Sequence, residues 1–408
     1  MRLRSILPAL LAGGLVLAAC GDAAMPSGED VSAQRELADP TADAAQPQAG
    51  LAGGAPKFWD TNAAANWDEF ATALTFQRVI DANRMYAYLA LAQLRAAEAA
   101  AEGAGPHPPT AAAIGAASAT ILGSFFPLDV AQIEAALDAQ LAAKPWPGAK
   151  HQDNAAGEAL GREVAAAVLA FAAGDRIGLS DPGTPPLGPG YWVWNGGPIV
   201  RGNYGARPFV LETGNEFLPP PPPAFGSAEF LTALAEVRSI ADTRTTEQTA
   251  IANYWNVNQS GRSNAAMHGL AVEFIRKYRV SDAKAARILF TMNASVFDAL
   301  IACFNAKYHY WFIRPSQADP LIATVFPPPP HPSYPSAHSC VSGAATGALA
   351  AFFPSETPRL EEAALEASLS RLYAGIHYRF DMVAGLALGR SVAATVVAAD
   401  LDVVDITP

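Results

Sequence analysis

Alanine-rich stretches with larger apolar side chains at helical spacing follow one another along most of the chain, separated by Pro and Gly clusters. Alanine favours helix more than any other residue, and apolar positions recurring every three or four residues give each stretch one face to bury. The first runs over residues 59–104, with Trp67, Phe70, Leu74 and Ile80 followed by Tyr88, Leu91 and Leu94. Residues 110–122, 129–143 and 154–173 follow. Residues 181–223 are irregular, rich in Gly and Pro, and end in the stiff run Pro219 to Pro223. Helical spacing returns at 227–240, at 246–256 with Thr245 as N-cap, and at 263–278 and 281–307. After a second proline-rich loop at 327–332 it resumes at 336–353, 358–375 and 381–399. Alternating strand patterns are almost absent. The predicted fold is all-α, a helical bundle.

Composition removes several function classes. A net charge of -11 with no basic stripe leaves nothing to neutralise a phosphate backbone, so nucleic acid is excluded as a partner. With 51% hydrophobic residues and 9% aromatics the chain has the material for a large core. Beyond the first twenty residues no apolar run reaches the length of a membrane span, which argues against a polytopic membrane protein. The N-terminus carries Arg2 and Arg4, an apolar stretch from Ile6 to Ala19, and then Leu17-Ala18-Ala19-Cys20. That pattern predicts a signal peptide over 1–19 and resembles a bacterial lipobox, with Cys20 lipidated and residues 20–56 as a flexible tether. An ordinary signal peptide with an incidental cysteine is the alternative. The expected protein is an exported lipoprotein anchored in the cell envelope on the periplasmic side, and Gly21 after the cysteine favours the outer membrane. Behind the tether, residues 57–180 form an N-terminal helical region, packed as one unit with a catalytic bundle over 181–408.

Three late segments concentrate reactive side chains. In the first, Lys307 and Arg314 stand seven residues apart, about two helical turns, so both cations can share a face. In the second, His331-Pro332-Ser333-Tyr334-Pro335-Ser336-Ala337-His338 ends a loop and opens an apolar helix, which puts Ser336 and the Ala337 amide at a helix N-terminus suited to an anion. In the third, Ser370-Arg371 precedes His377 and Asp381, where a carboxylate four residues on can grip one imidazole nitrogen and fix the other. Each has a plain structural reading: a solvated face, an N-cap, a buried ion pair. Together they meet the needs of a tetrahedral oxyanion.

These residues resemble the signature of the type 2 phosphatidic acid phosphatase and vanadium-dependent haloperoxidase superfamily: Lys-x6-Arg-Pro, Pro-Ser-Gly-His and Ser-Arg-x5-His-x3-Asp. All spacings are met by Lys307 with Arg314-Pro315, by Pro335-Ser336-Ala337-His338, and by Ser370-Arg371, His377 and Asp381. A looser likeness to soluble bacterial haloperoxidase-like members extends over 181–399, through Pro220-Pro221-Pro222, Thr246-Glu247-Gln248 and Trp255. The resemblance implies that Lys307, Arg314 and Arg371 neutralise the oxygens of phosphate or vanadate, assisted by Ser336 and the Ala337 amide. His377 would bond the central atom, as nucleophile toward phosphorus or ligand of vanadium, with Asp381 holding its tautomer. His338 would be the acid–base group, and His331 sits where bromide-oxidising members also carry a histidine. Two positions depart from the pattern. Phe304 stands where characterised haloperoxidases tend to have tryptophan, and Ala337 replaces a glycine, which would matter only if that position needs positive φ.

Three functions stay open. One is a vanadate-binding haloperoxidase that uses peroxide to oxidise halide. Another is an acid phosphatase acting on phosphomonoesters through a phosphohistidine, without vanadate. The third is a lipoprotein that only binds an oxyanion, although a binder needs neither His338 nor the His377–Asp381 pair. No zinc-ligand pattern offers a competing metallohydrolase. His107, His151 and His268 have no ligand at suitable spacing and read as structural or exposed. Cys303 and Cys340, close in sequence to Lys307 and Ser336, are either two buried thiols or a disulfide between the helices that carry them.

Overall fold

Four helices in the computed structural model start where a side-chain oxygen caps the first turn of an apolar run. The model describes residues 62–78, 80–102, 107–143, 154–256 and 262–399; the expected signal peptide, Cys20, the tether and His151 lie outside them. Asn62 caps α1 (Ala63–Thr75) by accepting from the Ala65 amide, and Asp81 caps α2 (Ala82–Ala101) by accepting from the Arg84 amide. The stretch expected as one helix over 59–104 is therefore two, because Asp81 begins a new helix after Phe76 has closed the first. Next come α3 (Thr110–Phe125), α4 (Val130–Ala142) and α5 (Asn154–Ala172). Ser227 caps α6 (Ala228–Thr243), and Thr245 with Gln248 forms a capping box on α7 (Thr246–Tyr254). The series closes with α8 (Arg262–Lys277), α9 (Asp282–Tyr310), the short α10 (Pro315–Ala318), α11 (Ala337–Phe352), α12 (Thr357–Tyr373) and α13 (Arg379–Ala398). Among the described residues there is no named strand, and one isolated bridge joins Tyr191 to Phe312. The fold is all-α.

The organising element is α9, 29 residues and so about 43 Å long. Nearly every side chain from Ala285 to Tyr308 is buried. By length and composition α9 could cross a membrane, yet 94% of its most apolar window is covered by the rest of the protein, which makes it a core helix. It packs against α2, which also meets α3 and α5, and against α11 and α13. A second long-range anchor lies in α8, where buried His268 pairs with Asp68 of α1 at 2.8 Å and stacks on Tyr86 with ring centroids 3.6 Å apart. His268 is thus structural, while His107 is exposed.

The irregular segment 181–223 is held by backbone chemistry. Asp298, fully buried on α9, accepts the amides of Phe209, Val210 and Leu211 at 2.8, 2.8 and 3.0 Å. Burial pushes its carboxyl up to about 6, opposed by those same amides. The proline run contributes carbonyls that no proline N–H can compete for: Tyr310 donates to Pro219 at 2.5 Å and Tyr334 to Pro220 at 2.6 Å. These bonds lay the segment against the C-terminal end of α9.

Where α11 crosses α13, glycines let the backbones touch. A Cβ on Gly385 would lie 2.7 Å from the Ser336 carbonyl, and one on Gly389 would lie 2.2 Å from that of Cys340. This crossing sets the distance between the residues at the start of each helix. Gly389→Ala is expected to lower unfolding stability by about 3 kcal/mol, since the methyl meets backbone that cannot move aside. Gly269→Ala on α8, whose Cβ would meet nothing within 4 Å, should be neutral or stabilising. Denaturant midpoints of the two variants check the contrast, and equal losses would mean that the crossing is not close-packed.

Candidate active site

Lys307 lies in the last turn of α9, and the helix ends three residues later at Tyr310. Trp311 takes a left-handed conformation (φ 50°, ψ 34°), its amide returning to the Lys307 carbonyl at 2.8 Å. Phe312 and Ile313 then run extended, fixed by the Tyr191 bridge and by the Ile313 amide on the Gly190 carbonyl at 3.0 Å. Arg314 follows as the N-cap of α10. The two cations therefore do not share a helix face, as their spacing suggested; a chain reversal at Trp311 brings them together. Both are fully buried.

The loop before α11 wraps around Lys307, whose Nζ donates to the carbonyls of Pro332, Ser333 and Pro335 at 3.0, 2.8 and 2.5 Å. Arg314 spreads its fork more widely. Its Nε donates to the His331 carbonyl at 3.1 Å, Nη1 to the Ile376 carbonyl at 2.8 Å and to His377 Nε2 at 3.0 Å, and Nη2 to His331 Nδ1 at 3.0 Å. An arginine only donates, so this contact uses an unprotonated His331 Nδ1, whereas the Pro332 carbonyl 3.1 Å from the same nitrogen would accept its proton. Ser336 is the N-cap of α11, but its hydroxyl caps nothing and is buried without a partner. Ala337 opens the helix and is not among the residues with positive φ, so alanine costs nothing in place of glycine.

The third segment reaches the site by a turn. Gly375, at φ 76°, lets the chain leave α12, and His377 precedes α13 instead of lying on a helix with Asp381. The four-residue spacing still works, because Asp381 in the first turn of α13 folds back across the helix start. Its Oδ2 accepts His377 Nδ1–H at 2.8 Å and the Tyr378 amide at 3.1 Å. With Nδ1 protonated toward Asp381 and Arg314 donating to Nε2, the neutral ring presents its lone pair on the cationic side. Arg371, at the end of α12, donates to Ser370 Oγ at 2.9 Å and to the Ala252 carbonyl at 2.9 Å. His338 Nε2 donates to the Trp255 carbonyl at 2.7 Å, which leaves Nδ1 as the acceptor.

Charge is what makes this cluster unusual. Lys307, Arg314 and Arg371 are buried at 0%, 0% and 2% exposure, and among the described residues no carboxylate pairs with any of them within salt-bridge distance. Burial pulls Lys307 down to about 8, Arg314 to about 10 and Arg371 to about 9. His331, His338 and His377 are all held well below the usual histidine value, first by burial and then by the neighbouring cations. Burial raises Asp381 to about 6, so it is ionised at neutral pH and can hold the imidazole proton. A single buried carboxylate facing three buried cations calls for further negative charge. A tetrahedral oxyanion fits that demand, and the orphaned Ser336 hydroxyl supplies a donor for it.

Comparison with known proteins concerns the family and the fold. The PAP2 superfamily model matches residues 285–403, the span from α9 to just beyond α13. Residues 285–403 are a PAP2 superfamily domain. The chain is also similar to solved structures that extend past this domain. A bacterial vanadium-dependent iodoperoxidase is 26% identical with a TM-score of 0.67, over 81% of this chain and 94% of that one. A holo-type bacterial vanadium-dependent chloroperoxidase is 16% identical with a TM-score of 0.59, over 88% and 97%. An apo-type one is 15% identical with a TM-score of 0.56, over 77% and 92%. These last two show the shared fold. No curated protein matches the chain.

Several parts of the PAP2 domain's site could not be found from motif spacing. Ser333 donates to Asp381 Oδ2 at 2.6 Å, although the two are 48 residues apart. The backbone carbonyls of Ala252 and Trp255, at the end of α7, come from outside the domain; the one available signal was Trp255 itself, which belongs to the looser likeness. Cys303 and Cys340 are both free and buried, and the helices carrying them, α9 and α11, pack together. A cavity of about 570 Å³ lined by Arg176, Arg207, Glu212 and Asn305 contains none of the motif side chains.

Proposed function

We propose that the chain is a vanadate-dependent haloperoxidase-type enzyme that uses peroxide to oxidise halide, anchored at the cell envelope through Cys20. The observation that carries this reading is the extent of the likeness to the iodoperoxidase, which runs over 81% of the chain and so well outside residues 285–403. A phosphatase reading rests on the PAP2 domain alone.

Arg314, Arg371 and the Ser336 hydroxyl would hold the vanadate oxygens, Lys307 would add its charge while its three N–H donors stay on backbone carbonyls, and the His377 Nε2 lone pair would bond the metal. When bound, vanadate supplies a Lewis-acid centre at which peroxide is activated toward a nucleophilic halide. Around it, the buried cations disperse negative charge without reorganising, because backbone carbonyls already fix Lys307, Arg314 and Arg371. His338, its Nε2–H committed to Trp255, offers Nδ1 to take a proton from peroxide and return it to a leaving oxygen. Its side chain is half-buried, whereas those of His331 and His377 are buried.

The test is oxidation of iodide by peroxide with and without added vanadate, beside hydrolysis of a generic phosphomonoester. Iodide is the halide named for the similar iodoperoxidase and the easiest to oxidise. Iodide oxidation that needs vanadate and is inhibited by phosphate is the expected result, since one cradle holds one anion. Phosphomonoester turnover that vanadate inhibits, with no halide oxidation, would assign the chain to the phosphatase branch instead.

A further inference from the structure

Ser333 belongs to none of the motif residues, yet each of its polar groups engages a different part of the site. It is fully buried. Its amide donates to the Phe312 carbonyl at 2.9 Å, in the extended stretch that delivers Arg314. Its carbonyl accepts from Lys307 Nζ at 2.8 Å. Its hydroxyl donates to Asp381 Oδ2 at 2.6 Å and lies 3.4 Å from His377 Nδ1. No other residue described at the site ties the Lys307–Arg314 segment to the His377–Asp381 pair through both backbone and side chain.

The hydroxyl matters because Asp381 is lopsided. Oδ2 receives three donors, from Ser333, His377 and the Tyr378 amide, whereas Oδ1 is buried with no partner. A carboxylate with one idle oxygen is free to turn about its Cβ–Cγ bond unless its working oxygen is pinned. The Tyr378 amide is weakly placed for this at 3.1 Å, and the His377 ring is the group being oriented. The Ser333 hydroxyl makes the shortest of the three contacts, and it comes from the loop that grips Lys307.

We propose that Ser333 is a positioning residue: its hydroxyl fixes Asp381, and through Asp381 the orientation in which His377 presents Nε2 to the bound anion. The inference rests on the oxyanion-site reading above. Outer partners of this kind typically change ligand affinity or activity by about 10- to 100-fold when removed.

Calorimetric titration of the full-length protein with vanadate, and separately with inorganic phosphate, tests it in the wild type, Ser333→Ala, Asp381→Asn and the double variant, with circular dichroism to establish that each is folded. Ser333→Ala is expected to weaken vanadate binding by about 10-fold or more. In the Asp381→Asn background the same change should cost less than about 3-fold, because a residue acting only through Asp381 has nothing left to act on. Ser333→Cys, which keeps a weak donor in a similar volume, should recover part of the affinity, and covers the case in which the alanine variant does not fold. Vanadate affinity in a folded Ser333→Ala within 2-fold of wild type would overturn the role, as would an undiminished loss in the Asp381→Asn background. If the wild type bound neither anion, the oxyanion-site reading would fail with it; anion binding by the wild type that ignores Ser333 removes only the inference.

Discussion

His377→Ala is expected to remove both vanadate-dependent halide oxidation and any phosphomonoester hydrolysis, by on the order of 10³-fold or more, while far-ultraviolet circular dichroism stays unchanged. The argument is geometric. His377 has its Nδ1–H on Asp381 at 2.8 Å and its Nε2 lone pair against Arg314 at 3.0 Å, so the ring is held by a carboxylate on one side and faces the buried cations on the other. Alanine deletes the nitrogen proposed to bond the central atom of the anion and leaves the cations in place. Weak electrostatic anion binding should therefore persist while turnover is lost. Asp381→Asn keeps the ring but cannot accept its proton as strongly, so a smaller loss of about 10- to 100-fold is expected. Steady-state assays of the two variants decide the matter, and turnover by the alanine variant within a few-fold of wild type would remove His377 from the chemistry.

The largest stability effect should come from the anion itself. Three buried cations face a single carboxylate, so the anion-free protein carries an unfavourable charge cluster that a bound oxyanion relieves. Millimolar phosphate or vanadate should raise the melting temperature by several degrees, as expected for a ligand far above its dissociation constant. Arg371→Met should abolish that shift and stabilise the anion-free protein by about 1–3 kcal/mol, because replacing an unpaired buried ion by an apolar side chain removes a desolvation cost. The pH dependence has a definite sign. Burial lowers Lys307 from 10.5 to about 8 in the folded state, so its charged form opposes folding below about pH 8, and that opposition fades between 8 and 10.5. The stabilisation by anion should accordingly be larger at pH 7 than at pH 9.5. Melts with and without phosphate at both pH values measure it; an anion-independent melt together with a destabilised Arg371→Met would contradict the charge argument.

What could be read from sequence follows the range over which each signal acts. Helix propensity and apolar periodicity are local, so most helices appear within a few residues of where they were expected. Over 59–104 the apolar periodicity runs on through Ile80, and only the cap at Asp81 marks the break between two helices. Motif residues were legible because each carries its own chemistry. Their arrangement was not: the spacings of Lys307 with Arg314 and of His377 with Asp381 suggested helix faces, whereas a left-handed Trp311 and a helix start at Arg379 bring each pair together. The carbonyls of Ala252, Pro332 and Trp255 have no sequence signature, since every residue has one. Ser333 was hidden for a related reason, as a serine in a proline-rich loop is ordinary until the fold places it against Asp381.

The reversal at Trp311 turns the six residues between Lys307 and Arg314 into a ruler. On a continuous helix, one extra turn would carry the second cation back to the same face, and insertions of three or four residues would be partly forgiven. Here Tyr308 to Tyr310 complete the helix, Trp311 turns the chain, and Phe312 and Ile313 are clamped to the segment around Gly190 and Tyr191. No inserted length restores the register. The information in this stretch thus lies in how many residues it has, and at exposed His309 the identity of the residue is left open.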